Sequence, residues 1–436
     1  MTEQDDSKSN KADDQSAAVP SPPLLPSPLS PPSASSLYVI LAEGFLSRLS
    51  FGVIGFVLPI FAFKRMGLSL TQVGLLFTLS LLVEQLFKPL MGWVADHVGL
   101  KRTFTVAIAL RSTVALLFIF ATAPWQIYAI RMLHGFSESL RDPSVGALIA
   151  EYADKKKMAS AFAWYSSLKM SAGSLGQALA GVLLYWWADD YARVFLVAFA
   201  LSILPLSVVA WYLKEPPHHP STEVPSEKNG NDLDESLTEQ AKPKTLEKSN
   251  TSLLPVLVLG SLMTATAMMI SKLFPVLATE YAHLNAAQAG LIYTVAPLVT
   301  IFAGPAFGWL ADNVSQRFVL LVRGFANIGS SLLFWFVPTF GGLAAGNVID
   351  ALGKAAFRPA WGKLMAQAMN ADRQRRARVT SYFGLGEGIG ETVGPLLGGW
   401  LWQYHGVAAM LGVRVALAAV AEIYALIVAR TSTAKI

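Results

Sequence analysis

The chain has 436 residues, of which 53% are apolar and only 14% charged, with no cysteine and a formal net charge of +5. So apolar a composition excludes an ordinary soluble surface, and the lack of cysteine excludes disulfides, thiolate nucleophiles and thiolate metal sites. The basic residues are split among short loops, which argues for a charge bias across a membrane and against a nucleic-acid partner.

Residues 1–36 are polar and end in a Pro/Ser-rich tract, so they predict a disordered tail without cleavable-signal character. A helix needs about 20 mostly apolar residues to cross the hydrocarbon, because each residue rises about 1.5 Å. Its backbone groups must also be satisfied internally. Six segments qualify next: Leu37–Phe63, Leu70–Gly92, Thr103–Thr122, Trp125–Ala147, Met158–Trp187 and Tyr191–Leu213. Residues 214–252 are too charged and proline-broken to bury a core and read as a linker. Six more spans follow: Leu253–Thr279, Ala286–Leu310, Phe318–Val337, Gly341–Gln367, Ala377–Trp402 and Gly406–Ala429. The expected fold is therefore all-α: twelve transmembrane helices in two six-helix bundles, residues 37–213 and 253–430, with a short tail at 431–436.

Lys and Arg gather on one set of loops: Lys101 and Arg102, Lys155 to Lys157, the linker lysines, Arg317, and Arg373, Arg375, Arg376 and Arg378. The other set holds Lys64, Arg65 and Arg193. That asymmetry places both termini on the cytoplasmic side of a cell membrane.

The two bundles are copies. The loop "GWVADHVGLKR" at Gly92–Arg102 returns as "GWLADNVSQR" at Gly308–Arg317, with Asp96 and Asp312 216 residues apart. The same offset aligns Gln72–Asp96 with Gln288–Asp312 without a gap, and Pro143 with Pro359. Both copies run the same way through the bilayer, so they form parallel repeats about an axis along the membrane normal. Such a pair can rock about a site held between its halves.

These residues resemble the major facilitator superfamily over roughly 37–429. Gly92, Asp96, Gly99, Lys101 and Arg102 match that family's loop signature in full. Gly308, Asp312 and Arg317 keep a degraded copy, with Ser315 in place of the second glycine. Arg131, His134 and Gly135 match a fourth-span motif with His replacing Gln. A glycine-rich antiporter motif belongs in span five, but its close match here lies in span eleven, at Gly390, Gly394, Pro395, Gly398 and Gly399. The resemblance implies that the Asp96 loop is a latch stabilising the outward-open state. It also implies that spans one, four, seven and ten line a central cavity.

Charges within spans cost at least about 2.5–3.5 kcal/mol each, so they face a cavity or a partner. Span four carries Arg131, His134, Glu138, Arg141 and Asp142 at three- and four-residue spacing, one polar stripe. Depth along the helices suggests two cross-helix pairs, Arg48 with Glu138 and Glu43 with Arg141. Lys272, Asp350, Lys354 and Arg358 join the substrate path by resemblance, and Asp350 and Lys354 can pair on their own helix. Glu84 and Lys88 share that spacing, and Lys169, Glu387 and Glu391 are further intramembrane charges. Each pair reads either as a static brace or as a coupling site, with Glu138 or Glu43 the proton carrier.

No phosphate loop, Ser/His/Asp arrangement or metal pattern stands out, so no enzyme activity, cofactor or metal is expected. The sequence reading is a monomeric secondary carrier moving a small polar or charged organic molecule by alternating access, with proton-coupled efflux ahead of proton-coupled uptake. From another class, a transport-inactive sensor or scaffold is the alternative.

Overall fold

A computed structural model describes residues 34–153, 158–215, 254–371 and 376–433, and all regular structure among them is helical. Residues 1–33 of the expected tail and almost all of the linker, with His218 and His219, lie outside the described residues, as do Lys155 to Lys157, Arg373 and Arg375. Seven helical segments are long and apolar enough to cross a membrane by length and composition alone. The α4 (Pro124–Tyr152) and α12 (Phe340–Ala371) helices, which carry the charged stripes, are outside those seven although they have 29 and 32 residues. Together the segments make a multi-pass membrane protein.

The first half comprises α1 (Ala34–Ile60), α2 (Leu70–Val98), α3 (Leu100–Ile119), α4, α5 (Met158–Trp186) and α6 (Tyr191–Tyr212). The second comprises α7 (Leu254–Ser271), the turn α8 (Phe274–Val276), α9 (Ala286–Leu291), α10 (Val295–Asn313), α11 (Gln316–Phe336), α12 and α13 (Arg376–Thr433). Gly406, at φ 83°, bends α13 into two limbs. The start of α1 at Ala34 takes three residues from the expected tail.

The repeat extends into backbone detail. Proline at Pro59 and Pro275 precedes a five-residue π-helical turn in each half, Phe61–Arg65 and Leu277–Tyr281. Gly67 and His283 then take positive φ, 68° and 53°. Ser69 and Asn285 follow as N-caps, each completing a capping box with Gln72 or Gln288. Every one of these pairs is 216 residues apart.

The halves meet along two seams, α2 on α13 and α5 on α9 and the start of α10. Each is sealed by the same repeat glycine. A side chain at Gly74 would run into the Pro395 backbone, and one at Gly290 would come within 2.9 Å of the Gly181 Cα. Across the first seam Thr78 Oγ1 donates to the Thr392 carbonyl at 2.6 Å and the Leu70 amide to Gln403 Oε1 at 3.0 Å.

Packing differs between the two ends. One apolar cluster joins the halves at the π-turn end, with Phe56, Phe61 and Leu70 from the first half and Ile270, Phe274 and Leu277 from the second. The clusters toward the Gly99 end each stay within one half. The molecule is therefore shut at the π-turn end and parted at the other.

At the shut end Lys64 Nζ lies 2.9 Å from Glu280 Oε1, and these two residues are repeat equivalents. Their side chains are 40% and 32% exposed, so the pair contributes about 1 kcal/mol or less. Glu280→Lys is expected to lower the population of this conformation up to roughly fivefold, read as a longer distance between spin labels at Met66 and His283. Adding Lys64→Glu to that variant is expected to restore the wild-type distribution.

Candidate functional site

A cavity of about 600 Å³ lies between the halves. Its first-half wall includes Arg48 of α1, Phe77 and Glu84 of α2, and Lys169 of α5; its second-half wall includes Lys272, Tyr293 and Glu391. Two helices face each other across it with related stripes. From α4 come His134, Glu138 and Asp142, and from α12 their repeat equivalents Asp350, Lys354 and Arg358. At each of the three positions the two copies differ in charge, and at the last two the sign is reversed.

Glu43 is fully buried and Arg141 is 1% exposed. The guanidinium donates to both carboxylate oxygens, at 2.8 Å for Oε2 and 3.0 and 3.1 Å for Oε1, and to the Tyr165 hydroxyl at 2.7 Å. This bidentate pair joins α1, α4 and α5 without touching the cavity, so its geometry is that of a brace.

Glu138 does not pair with Arg48, contrary to the depth match made from the sequence. Its carboxylate accepts instead from Arg111 of α3, whose guanidinium also sits 3.8 Å from the centre of the Phe51 ring. Rise along a helix fixes depth but not azimuth. Arg48 turns into the cavity, its Cγ lying 3.3 Å from where a Cβ on Gly173 would stand. Lys88 reaches Asp142 at 3.0 Å and Glu84 only at 3.7 Å, so its main partner is across on α4.

In the second half Asp350 is the hub. Lys354 lies 2.7 Å from its Oδ2, and Arg323 and Arg414 lie 3.4 and 3.3 Å from its Oδ1. Arg414 is fully buried and also donates to the Thr266 carbonyl at 2.8 Å, Ser331 Oγ at 2.7 Å and Asn327 Oδ1 at 3.1 Å. Arg111, Arg323 and Arg414 were not among the residues expected from the sequence, and each answers an acid of the cavity wall from a helix behind it. The rule that a charge inside an apolar run needs a partner points to all three.

The loop residues expected to form the latch lie at the parted end. Gly99, at φ 106°, is the single residue between α2 and α3, and a side chain there would approach Glu215 Oε1 to 2.9 Å. Asp96 and Arg102 are exposed and Lys101 half-buried, and Asp96 makes no ion pair among the described residues. Gly92 faces Pro143 and Gly308 faces Pro359, equivalent contacts of α2 on α4 and α10 on α12. The side chains of Asp312 and Arg317 lie outside the described residues. Of the span-eleven glycines, Gly390, Gly394 and Gly398 receive α7, while Pro395 and Gly399 face α2 across the seam.

A family model described as the Major Facilitator Superfamily matches residues 41–342 and 256–435. The chain is 25% identical over 342 residues to a protein of Escherichia coli O17:K52:H18 named multidrug resistance protein MdtG, covering 77% of this chain and 79% of that one. It is 24% identical over 383 residues to the protein of the same name from Yersinia enterocolitica, covering 86% and 88%. Among solved structures it is similar to a bacterial homolog of the human lysosomal transporter Spinster in an inward-facing and occupied conformation. That match has a TM-score of 0.71 at 16% identity over 92% of this chain and 98% of that chain. It is also similar to the nucleoside transporter NupG, with a TM-score of 0.67 at 12% identity over 89% and 97%.

Removing one member of a buried pair strands the other charge. Glu43→Gln is expected to destabilise the first half by about 3–5 kcal/mol, seen as a lower melting temperature in detergent. The double replacement Glu43→Leu with Arg141→Met is expected to recover most of that loss.

Proposed function

The chain belongs to the major facilitator superfamily, and from that premise we propose that it is a twelve-span secondary transporter exporting small organic molecules against a proton gradient. The observation that carries this reading is the charged cavity between two homologous halves, sealed at one end by packing across both halves and parted at the other. A rigid scaffold has no use for such a chamber, whose wall charges are costly to insert.

Alternating access then works as follows. In the present conformation substrate enters from the parted end, where Asp96 makes no ion pair among the described residues. The halves rock about the two glycine seams, the Lys64–Glu280 end opens, and the Asp96 loop closes on its neighbours. The bias of Lys and Arg toward the parted-end loops supports assigning that end, and both termini, to the cytoplasm of a cell membrane. Export is favoured by the relatives named for multidrug resistance. One chain holds both halves and the cavity between them, which supports a monomer as the working unit.

Of the two carboxylates considered as proton carrier, Glu138 fits the role and Glu43 does not. Glu138 borders the cavity and shares its charge with Arg111, whereas Glu43 is closed off beneath Arg141 and Tyr165. A carboxylate that trades an Arg partner for a proton links protonation to helix position.

Purified protein in vesicles with an imposed pH gradient provides the test, using labelled organic solutes of both charge signs. Efflux is expected to bring substrate-dependent proton movement in the opposite direction, read with a pH-sensitive dye. Movement of both in one direction identifies uptake by symport, and absence of substrate-dependent flux sinks the transport reading. Glu138→Gln, with folding checked by gel filtration, is expected to reduce gradient-driven flux by about fivefold or more while solute exchange at equal pH persists.

A further inference from the structure

The cavity charges sort into two groups when each is traced to its partner. The α4 and α12 acids are answered by cations of their own half: Glu138 by Arg111, Asp142 by Lys88, and Asp350 by Arg323, Arg414 and Lys354. Arg48, Arg131 and Lys272 have no carboxylate within 4.0 Å among the described residues. Glu84 and Glu391 are the acids left on the wall, and Glu84 is already shared with Lys88. The cavity thus holds more fixed cations than acids able to neutralise them.

These cations converge. Arg131 arrives from α4 with its guanidinium 4.9 Å from the centre of the Phe77 ring, and Lys272 arrives from the other half with its ammonium 5.9 Å from the same centre. Arg48 and Arg131 act on Lys272 as like charges, offset by Glu391 and Glu84. Arg131 is 8% exposed and its Nε has no partner; His134, 9% exposed, likewise leaves Nδ1 unpaired. Both line the cavity. A nine-tenths-buried guanidinium with an unused donor, set among other unpaired cations on an aromatic surface, is built to receive an anion.

We infer that the shut-end half of the cavity is an organic-anion site: Arg48, Arg131 and Lys272 take a carboxylate or phosphonate group, with Phe77 and Tyr293 beside its apolar body. The inference rests on the cavity being the substrate path of the transporter proposed above and names the substrate's charge. The anion bridges the two halves, because Arg131 and Lys272 belong to different ones. It therefore offsets the mutual repulsion of Arg48, Arg131 and Lys272.

Equilibrium binding to purified full-length protein in detergent separates this claim from transport. Benzoate, phenylphosphonate, benzylamine and benzyl alcohol share one ring and differ in charge, so isothermal calorimetry on the four isolates the charge preference. Benzoate or phenylphosphonate is expected to bind about tenfold or more tightly than benzylamine or the alcohol, and Arg131→Gln and Lys272→Gln each to weaken the anion by about tenfold or more. Arg193→Gln, which alters an exposed pair with Asp190, is expected to change nothing. Should a cavity variant misfold, inorganic phosphate competing with phenylphosphonate on the wild type supplies the second reading. Preference for benzylamine, absence of saturable anion binding, or binding unchanged in folded Arg131→Gln and Lys272→Gln proteins overturns the proposal. Anion binding without flux in vesicles would instead overturn the transport reading and leave the site standing.

Discussion

Charge placed in a medium that cannot solvate it is the constraint on which the rest of this structure depends. The protein meets it by pairing within each half. Glu43 with Arg141, Glu138 with Arg111, and Asp350 with Arg323 and Arg414 all join helices of one bundle. Each half is thereby tied as a unit, and the space between them is left for whatever moves. Among the described residues a single ion pair crosses from one half to the other, and it sits at the shut end outside the cavity.

Freedom to rock also requires an interface without interlocking side chains. The two seams come near to it by omitting side chains at Gly74, Gly181, Gly290 and Gly399, so that backbone lies directly on backbone, with the Thr78–Thr392 and Leu70–Gln403 hydrogen bonds across the first seam. Since Gly74 and Gly290 are repeat equivalents, one feature copied by duplication produced both seams. The glycines of α13 that pack α7 do a different job, fixing the second half internally, although they lie within a few residues of Pro395 and Gly399, which face the seam. A glycine-rich stretch on one helix thus packs within its own half on one face and against the other half on the opposite face.

Much of this was legible in the sequence because periodic and repeated signals survive without coordinates. Composition gave a membrane chain, the aligned segments Gln72–Asp96 and Gln288–Asp312 gave two halves, and the four-residue spacing from His134 to Asp142 gave a polar stripe. What stayed hidden was rotation about each helix axis. Depth matched Arg48 with Glu138, and both border the cavity, but the Glu138 carboxylate is taken by Arg111 of α3. Arg323 and Arg414 escaped for the same reason: their partner Asp350 is reached from helices that lie behind the cavity wall. Sequence spacing also gave no sign that the acids of the wall would be neutralised from outside it, leaving the cations in surplus.

The pairing of Lys64 with Glu280 bears on how the two halves arose. Equivalent residues that touch must lie beside the pseudo-twofold axis, where each position meets its own copy. In a homodimer of identical six-helix chains, a lysine there would face a lysine. The attraction between these two side chains could therefore arise only after the ancestral copies had become separate coding segments, free to differ. Asymmetry at a self-facing position is a record that fusion or divergence came before the bond.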